Sequence, residues 1–286
     1  MSTAPDSPKA SKLGTLGSSF WLILLALAVI VFGANTGVAT YEGSRLSGAG
    51  TGAADLQVLS QQLANQGREA VAGNAEAFKS FKATQGQIDS TIATLKSRFG
   101  DEGAVAGPLE KLTETWAPLS KNAQQLTASE PAVLALAGNA DRFTAQVPQL
   151  QAQLNEVVRA MSASGAPSSQ IYNALQQVVV AGTMARRVTE IRAGGAGAAA
   201  AGDALARDAV VFGQVLDGLR NGNEDLGIAP LRNAAALTAL DQSQAQWTTM
   251  KKDLDAILGS SKNLFAAQSS AAALTEEDGA LLGHVF

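Results

Sequence analysis

The chain has no cysteine, and one histidine, His284, among its 286 residues. A disulfide framework, a Cys-ligated zinc and thiol chemistry are therefore excluded. His284 lies apart from any nucleophile motif, so a histidine dyad has no second member. There is no G-x-S-x-G elbow, no H-E-x-x-H helix and no carboxylate-rich cation loop. These absences predict a protein that is not an enzyme: no catalytic residues, no metal ligands, no cofactor. Charge is scarce too. With 16% charged residues and a net charge of -4, no basic face exists to neutralise phosphates, which argues against a nucleic-acid partner. Aromatics stand at 5%, and the bulk is small and aliphatic, a mix that suits long helices better than a β-sandwich.

What is present is, first, an apolar run. Residues 20–33 read FWLILLALAVIVFG, and no charge falls between Lys12 and Glu42. As a helix, 20–39 measures about 30 Å, the thickness of a bilayer core. Trp21 and Tyr41 then sit at the two interfaces. Lys9 and Lys12 precede the run against one Asp6, while Glu42 and Arg45 after it cancel. The positive-inside rule keeps 1–12 in the cytoplasm and sends everything after Tyr41 outward. A cleaved signal peptide with a small-x-small site at Gly37-Val38-Ala39 is the competing reading; the long polar leader favours an anchor, and both export the rest. Gly33-Ala-Asn-Thr-Gly37 reads either as a dimer contact or as ordinary membrane-helix glycine.

The expected organisation is all-α: a cytoplasmic tail (1–12), a transmembrane helix (13–41), a Gly-rich juxtamembrane linker (42–54) and two tandem four-helix-bundle-like modules (55–165 and 166–286). Asp55 suits an N-cap for a helix carrying Leu56, Leu59, Leu63 and Val71, with a stop at Gly73. Asn74 caps the next, whose stripe is Phe78, Phe81, Gln85, Ile88, Ile92, Leu95 and Phe99. A loop over 100–107 leads to Pro108 at the first position of a third helix with Leu109, Leu112, Trp116, Leu119, Ala123 and Leu126, kinked at Pro118. Ser129 precedes a longer helix with Leu136, Phe143, Val147, Leu150, Leu154, Val157 and Met161, ending at Gly165-Ala-Pro167.

The pattern then recurs. At an offset of 121 residues Gly73 falls on Gly194 and Leu95 on Leu216; at 131 Trp116 falls on Trp247, Leu126 on Ile257 and Ser129 on Ser260, a second expected N-cap. One ten-residue insertion, within the loop Asn221–Pro230, reconciles the offsets. Gly194-Gly-Ala-Gly197 lacks the Lys-Ser/Thr of a phosphate loop and reads as a helix–helix turn. Arg186, Arg187, Glu190 and Arg192 read as a solvated, self-paired helix face.

Several segments together carry a family resemblance: Asp55-Leu-Gln-Val-Leu-Ser-Gln-Gln-Leu-Ala-Asn65, Glu69-Ala-Val-Ala-Gly73, Trp116-Ala-Pro-Leu-Ser-Lys-Asn122, Val147-Pro-Gln-Leu150, Gly165-Ala-Pro167 and Phe212-Gly-Gln-Val-Leu216. From the apolar run to about Phe265 the chain resembles the anchor and sensor region of PilJ-type methyl-accepting chemotaxis receptors of type IV pili. The resemblance implies the input part of a homodimeric inner-membrane receptor for twitching motility, whose periplasmic helices detect pilus or surface state, with pilin as partner. It also implies a cytoplasmic kinase and adaptor system, reached through an output region that this sequence does not include; a truncated receptor is one expectation. Related sensors carry Arg-Met-x-Ser-x-Arg, whose arginines hold an anion. Here the segment reads Gln57-Val-Leu-Ser60-Gln-Gln62. Gln57, Ser60 and Gln62 are thus the candidate ligand-binding residues, with amides and a hydroxyl but no positive charge. Two alternatives stay open: a membrane-tethered periplasmic adaptor, or a small-anion sensor of the nitrate type.

Overall fold

The computed structural model describes residues 43–101, 103–195 and 197–281. The apolar run, the GxxxG segment, Lys9, Lys12 and His284 lie outside the described residues. Within them the chain forms seven helices: α1 Gly43–Val71, α2 Ala75–Phe99, α3 Gly103–Ala128, α4 Glu130–Ala163, α5 Ser168–Ala193, α6 Ala198–Asn221 and α7 Ala234–Leu281. Among the described residues no strand occurs, only an isolated bridge between Asn223 and Ile228. No described helix is long and apolar enough to cross a membrane.

The stripes read from the sequence are the buried faces. On α2, Phe78, Phe81, Gln85, Ile88, Ile92 and Leu95 are buried; on α4, so are Leu136, Phe143, Val147, Leu150, Leu154, Val157 and Met161. A 3–4 spacing puts these side chains on one side of a 3.6-residue helix, and each fully buried aliphatic or aromatic contributes about 1.5–3 kcal/mol. Gly73 and Gly194 end α1 and α5 with φ of 95° and 74°, the left-handed stop that glycine adopts without a Cβ penalty.

Four local expectations differ. The Gly-rich stretch expected as a linker is helical from Gly43 onward, so Asp55 is mid-helix rather than a cap. It contains no proline, Ala53 and Leu56 are buried, and a Cβ on Gly52 would meet the Leu95 side chain at 2.9 Å. Packing offsets the roughly 1 kcal/mol that each glycine costs a helix. Next, α3 starts at Gly103, leaving Pro108 inside the helix instead of at its first position. Third, Ser129 occupies the N-cap position of α4 but its side chain makes no capping bond to the helix. Fourth, α7 runs unbroken through Ser260. The Pro131 that interrupts the first repeat has Lys262 at its equivalent, which blocks nothing.

The chain falls into two units, the first drawn mostly from residues before Ser129 and the second mostly from residues after it. The first unit holds described residues 43–70, 75–128 and 269–281; the second holds 71–74 and 129–268. In the first, α2 packs on α3, with Phe78, Phe81, Ile88 and Leu95 buried together with Leu109, Ala123 and Leu126. In the second, α4 packs on α5 and α5 on α6, and one continuous core joins Phe143, Leu150, Val157, Met184, Ile191, Phe212, Leu216, Trp247, Met250 and Leu254. Helix α4 thus buries its stripe with the helices that follow it.

Candidate functional site

Gln57, Ser60 and Gln62 all lie on α1. Gln57 and Ser60 are half-buried, and the Ser60 hydroxyl donates to the Gln57 carbonyl at 3.0 Å, a bond within the helix. Gln62 is exposed. At about 100° per residue, Ser60 and Gln62 stand roughly 160° apart around the axis. Ser60 and Gln62 therefore leave the helix on nearly opposite sides, and the segment itself carries amides and a hydroxyl where the related motif has arginines.

Of the α5 arginines, Arg186 bonds the Thr183 hydroxyl on its own helix, while Arg187 and Arg192 reach other helices. Arg187 pairs with Asp208 of α6, and Arg192 pairs with Asp141 of α4 while also donating to the Ala72 carbonyl at 3.4 Å. They fasten neighbouring helices of the second unit. A further polar tie joins α4 to α7: Arg142 donates to Asp253 at 3.0 Å, Gln146 to the same carboxylate at 3.4 Å, and Gln246 to Gln146 at 2.8 Å. Asp253 is 13% exposed at its side chain, so this pair is less screened than its surface position suggests. Among the described residues no group of His, Cys, Asp and Glu is arranged to hold a metal ion.

Two grooves open on the second unit. One, about 340 Å³, lies between α4 and α5 and is lined by Ala140, Thr144, Val188 and Thr189 with the Arg192–Asp141 pair at its edge. The other, about 410 Å³, lies between α6 and α7. Val210, Gly213 and Leu216 come from α6; Gln244, Trp247 and Lys251 come from α7. Trp247 is 6% exposed, and its ring packs on Phe212 with centroids 4.6 Å apart at 55°. The matching tryptophan of the first unit is placed differently. Trp116 is only half-buried, and its indole N–H donates to Asp89 Oδ1 at 2.6 Å. The sequence paired these tryptophans; the groove beside one of them was not anticipated. Its signal lay in what surrounds them, since the 121-residue offset puts Val210 where Asp89 is and Gly213 where Ile92 is.

No protein-family model matches the chain. It is 31% identical over 227 residues to Protein PilJ of Pseudomonas aeruginosa, covering 77% of this chain and 33% of that one. It is 30% identical over 251 residues to AlkN of Alcanivorax borkumensis, named as a methyl-accepting chemotaxis protein, covering 87% of this chain and 36% of that one. The chain thus spans about a third of the length of these curated relatives. They are proteins of chemoreceptor type and not enzymes.

Proposed function

We propose, from the premise that this chain is a relative of the PilJ-type methyl-accepting chemotaxis receptors, that it is the sensing part of a chemoreceptor for type IV pilus motility. The observation that carries this is the extent of the kinship, about 30% identity over most of the chain with two relatives of chemoreceptor type. The helical region receives the signal on the periplasmic side of the inner membrane, as a homodimer, and the input is pilin. Binding shifts the balance between two arrangements of the helices, because a partner moves such an equilibrium only by its difference in affinity for the two.

Two features support a protein input over a small anion at α1. Gln57, Ser60 and Gln62 bring no positive charge, and Ser60 and Gln62 leave α1 on nearly opposite sides. On α5, Tyr172, Leu175 and Val179 leave an apolar stripe in solvent at helical spacing, 59%, 45% and 59% exposed. Such aromatic and aliphatic side chains supply most of the energy of protein recognition.

The test uses the full chain in lipid nanodiscs, titrated with soluble pilin and separately with nitrate while heat is followed. Saturable, weak pilin binding is expected, reduced by Leu175→Glu, with no response to nitrate. Saturable nitrate binding without any pilin response overturns the proposal in favour of an anion sensor. Pilin binding that leaves twitching unchanged when the gene is deleted favours a tethered adaptor.

A further inference from the structure

The indole N–H of Trp247 has no hydrogen-bond partner among the described residues, although the side chain is more than nine-tenths buried. The ring is buried but its nitrogen is not: the N–H reaches solvent, so a ligand acceptor there would have only water to displace. This donor is not sealed in apolar packing. It borders the α6–α7 groove, where a Cβ built on Gly213 would lie 3.5 Å from Nε1.

The first repeat shows what the donor lacks. There the equivalent N–H, on Trp116, is satisfied by the Asp89 carboxylate at 2.6 Å, and Ile92, one turn further along α2, is buried. In the second repeat the same two positions are Val210 and Gly213. One replacement removes the carboxylate; the other removes a butyl-sized side chain and opens space beside the ring. A third difference adds charge: Lys251, one turn beyond Trp247 and also lining the groove, stands where the first repeat has Ser120. Lys251 now bonds the exposed Asp255 at 2.7 Å, an (i, i+4) pair weak enough in water to exchange for a better-placed anion.

We propose that the α6–α7 groove binds a small organic carboxylate whose carboxyl group takes the place that the Asp89 carboxylate fills beside Trp116. The indole N–H donates to one oxygen and the Lys251 ammonium offsets the charge. The hydrocarbon body lies over Gly213 against Val210, Ala209 and Leu216. Phe212 holds the indole plane, so the donor is pre-oriented before the ligand arrives. At about 410 Å³ the groove is in the range of small-molecule sites and admits a chain of several carbons. This site is separate from α1 and from the α5 stripe, and it stands whether or not the chain senses pilin.

Hexanoate is the probe, added to the full chain in nanodiscs with 15N-labelled indoles, and hexanol of equal chain length is the uncharged control. The expected result is a saturable downfield shift of the Trp247 indole N–H with hexanoate, none with hexanol, and no change at Trp116. Lys251→Gln weakens binding by about tenfold, the loss of one charge-assisted contact. Val210 is 58% exposed, so Val210→Asp is a surface change that should fold. It supplies the missing carboxylate internally, shifts the Trp247 signal downfield without ligand and abolishes hexanoate binding. Gly213→Ile fills the groove and has the same effect on binding. An unmoved Trp247 signal overturns the site; an equal response to hexanol, or undiminished binding in Val210→Asp, overturns the carboxylate assignment.

Discussion

Replacing Gly73 by alanine tests whether the turn between α1 and α2 is held by a close approach as well as by a left-handed backbone. Gly73 has φ of 95°, where an L-residue is strained by about 1–2 kcal/mol. A Cβ there would also fall 2.4 Å from the Cβ of Ala137 on α4, far inside the closest distance two carbons tolerate. Neither atom is the end of a flexible side chain, so the turn or the helix must move, adding about 1–3 kcal/mol as an overpacked core does. The total expected is about 2–5 kcal/mol. Gly165 provides the control: φ is 72° and nothing lies within 4 Å of its built Cβ, so Gly165→Ala should cost only the backbone strain. Urea unfolding of the three proteins by circular dichroism should order them parent, Gly165→Ala, Gly73→Ala. Adding Ala137→Gly costs about 1 kcal/mol alone but should recover most of the steric part in the double mutant, a coupling that a thermodynamic cycle isolates. If Gly73→Ala matches Gly165→Ala in stability, or Ala137→Gly gives no rescue, the close contact plays no part and the reasoning fails.

Phe143→Ala, in the core of the second unit, should destabilise by about 3–5 kcal/mol in the same assay, since the ring is fully buried. Trp116→Ala should cost less, about 1–3 kcal/mol, because the ring is half-buried and part of its contribution is the bond to Asp89; Asp89→Ala should reproduce some of that loss. Alkaline phosphatase fused after Gly100 should be active, as the flanking Lys9 and Lys12 predict for an exported helical region; a stable but inactive fusion reverses the topology.

The helices and their buried faces follow from the sequence because a 3–4 stripe is a local property: Phe78 to Leu95 and Leu136 to Met161 could bury one side only as helices. The stops at Gly73 and Gly194 were equally legible, since a glycine after such a stripe has a left-handed position to fill. The kinship with chemoreceptors was legible too, carried by segments spread from α1 to α6. None of this says which stripe meets which. That α4 joins α5 and α6 depends on the fit of whole faces, and no window of sequence contains two of them. For the same reason Arg187 and Arg192 found partners on other helices, and a glycine-rich segment expected as linker is helix, with Gly52 packed against Leu95. The two tryptophans show the limit most clearly. Their match was visible in one dimension, but only packing decided that Trp116 sits half-exposed on Asp89 while Trp247 is buried beside a groove, at a place where Val210 stands for that aspartate.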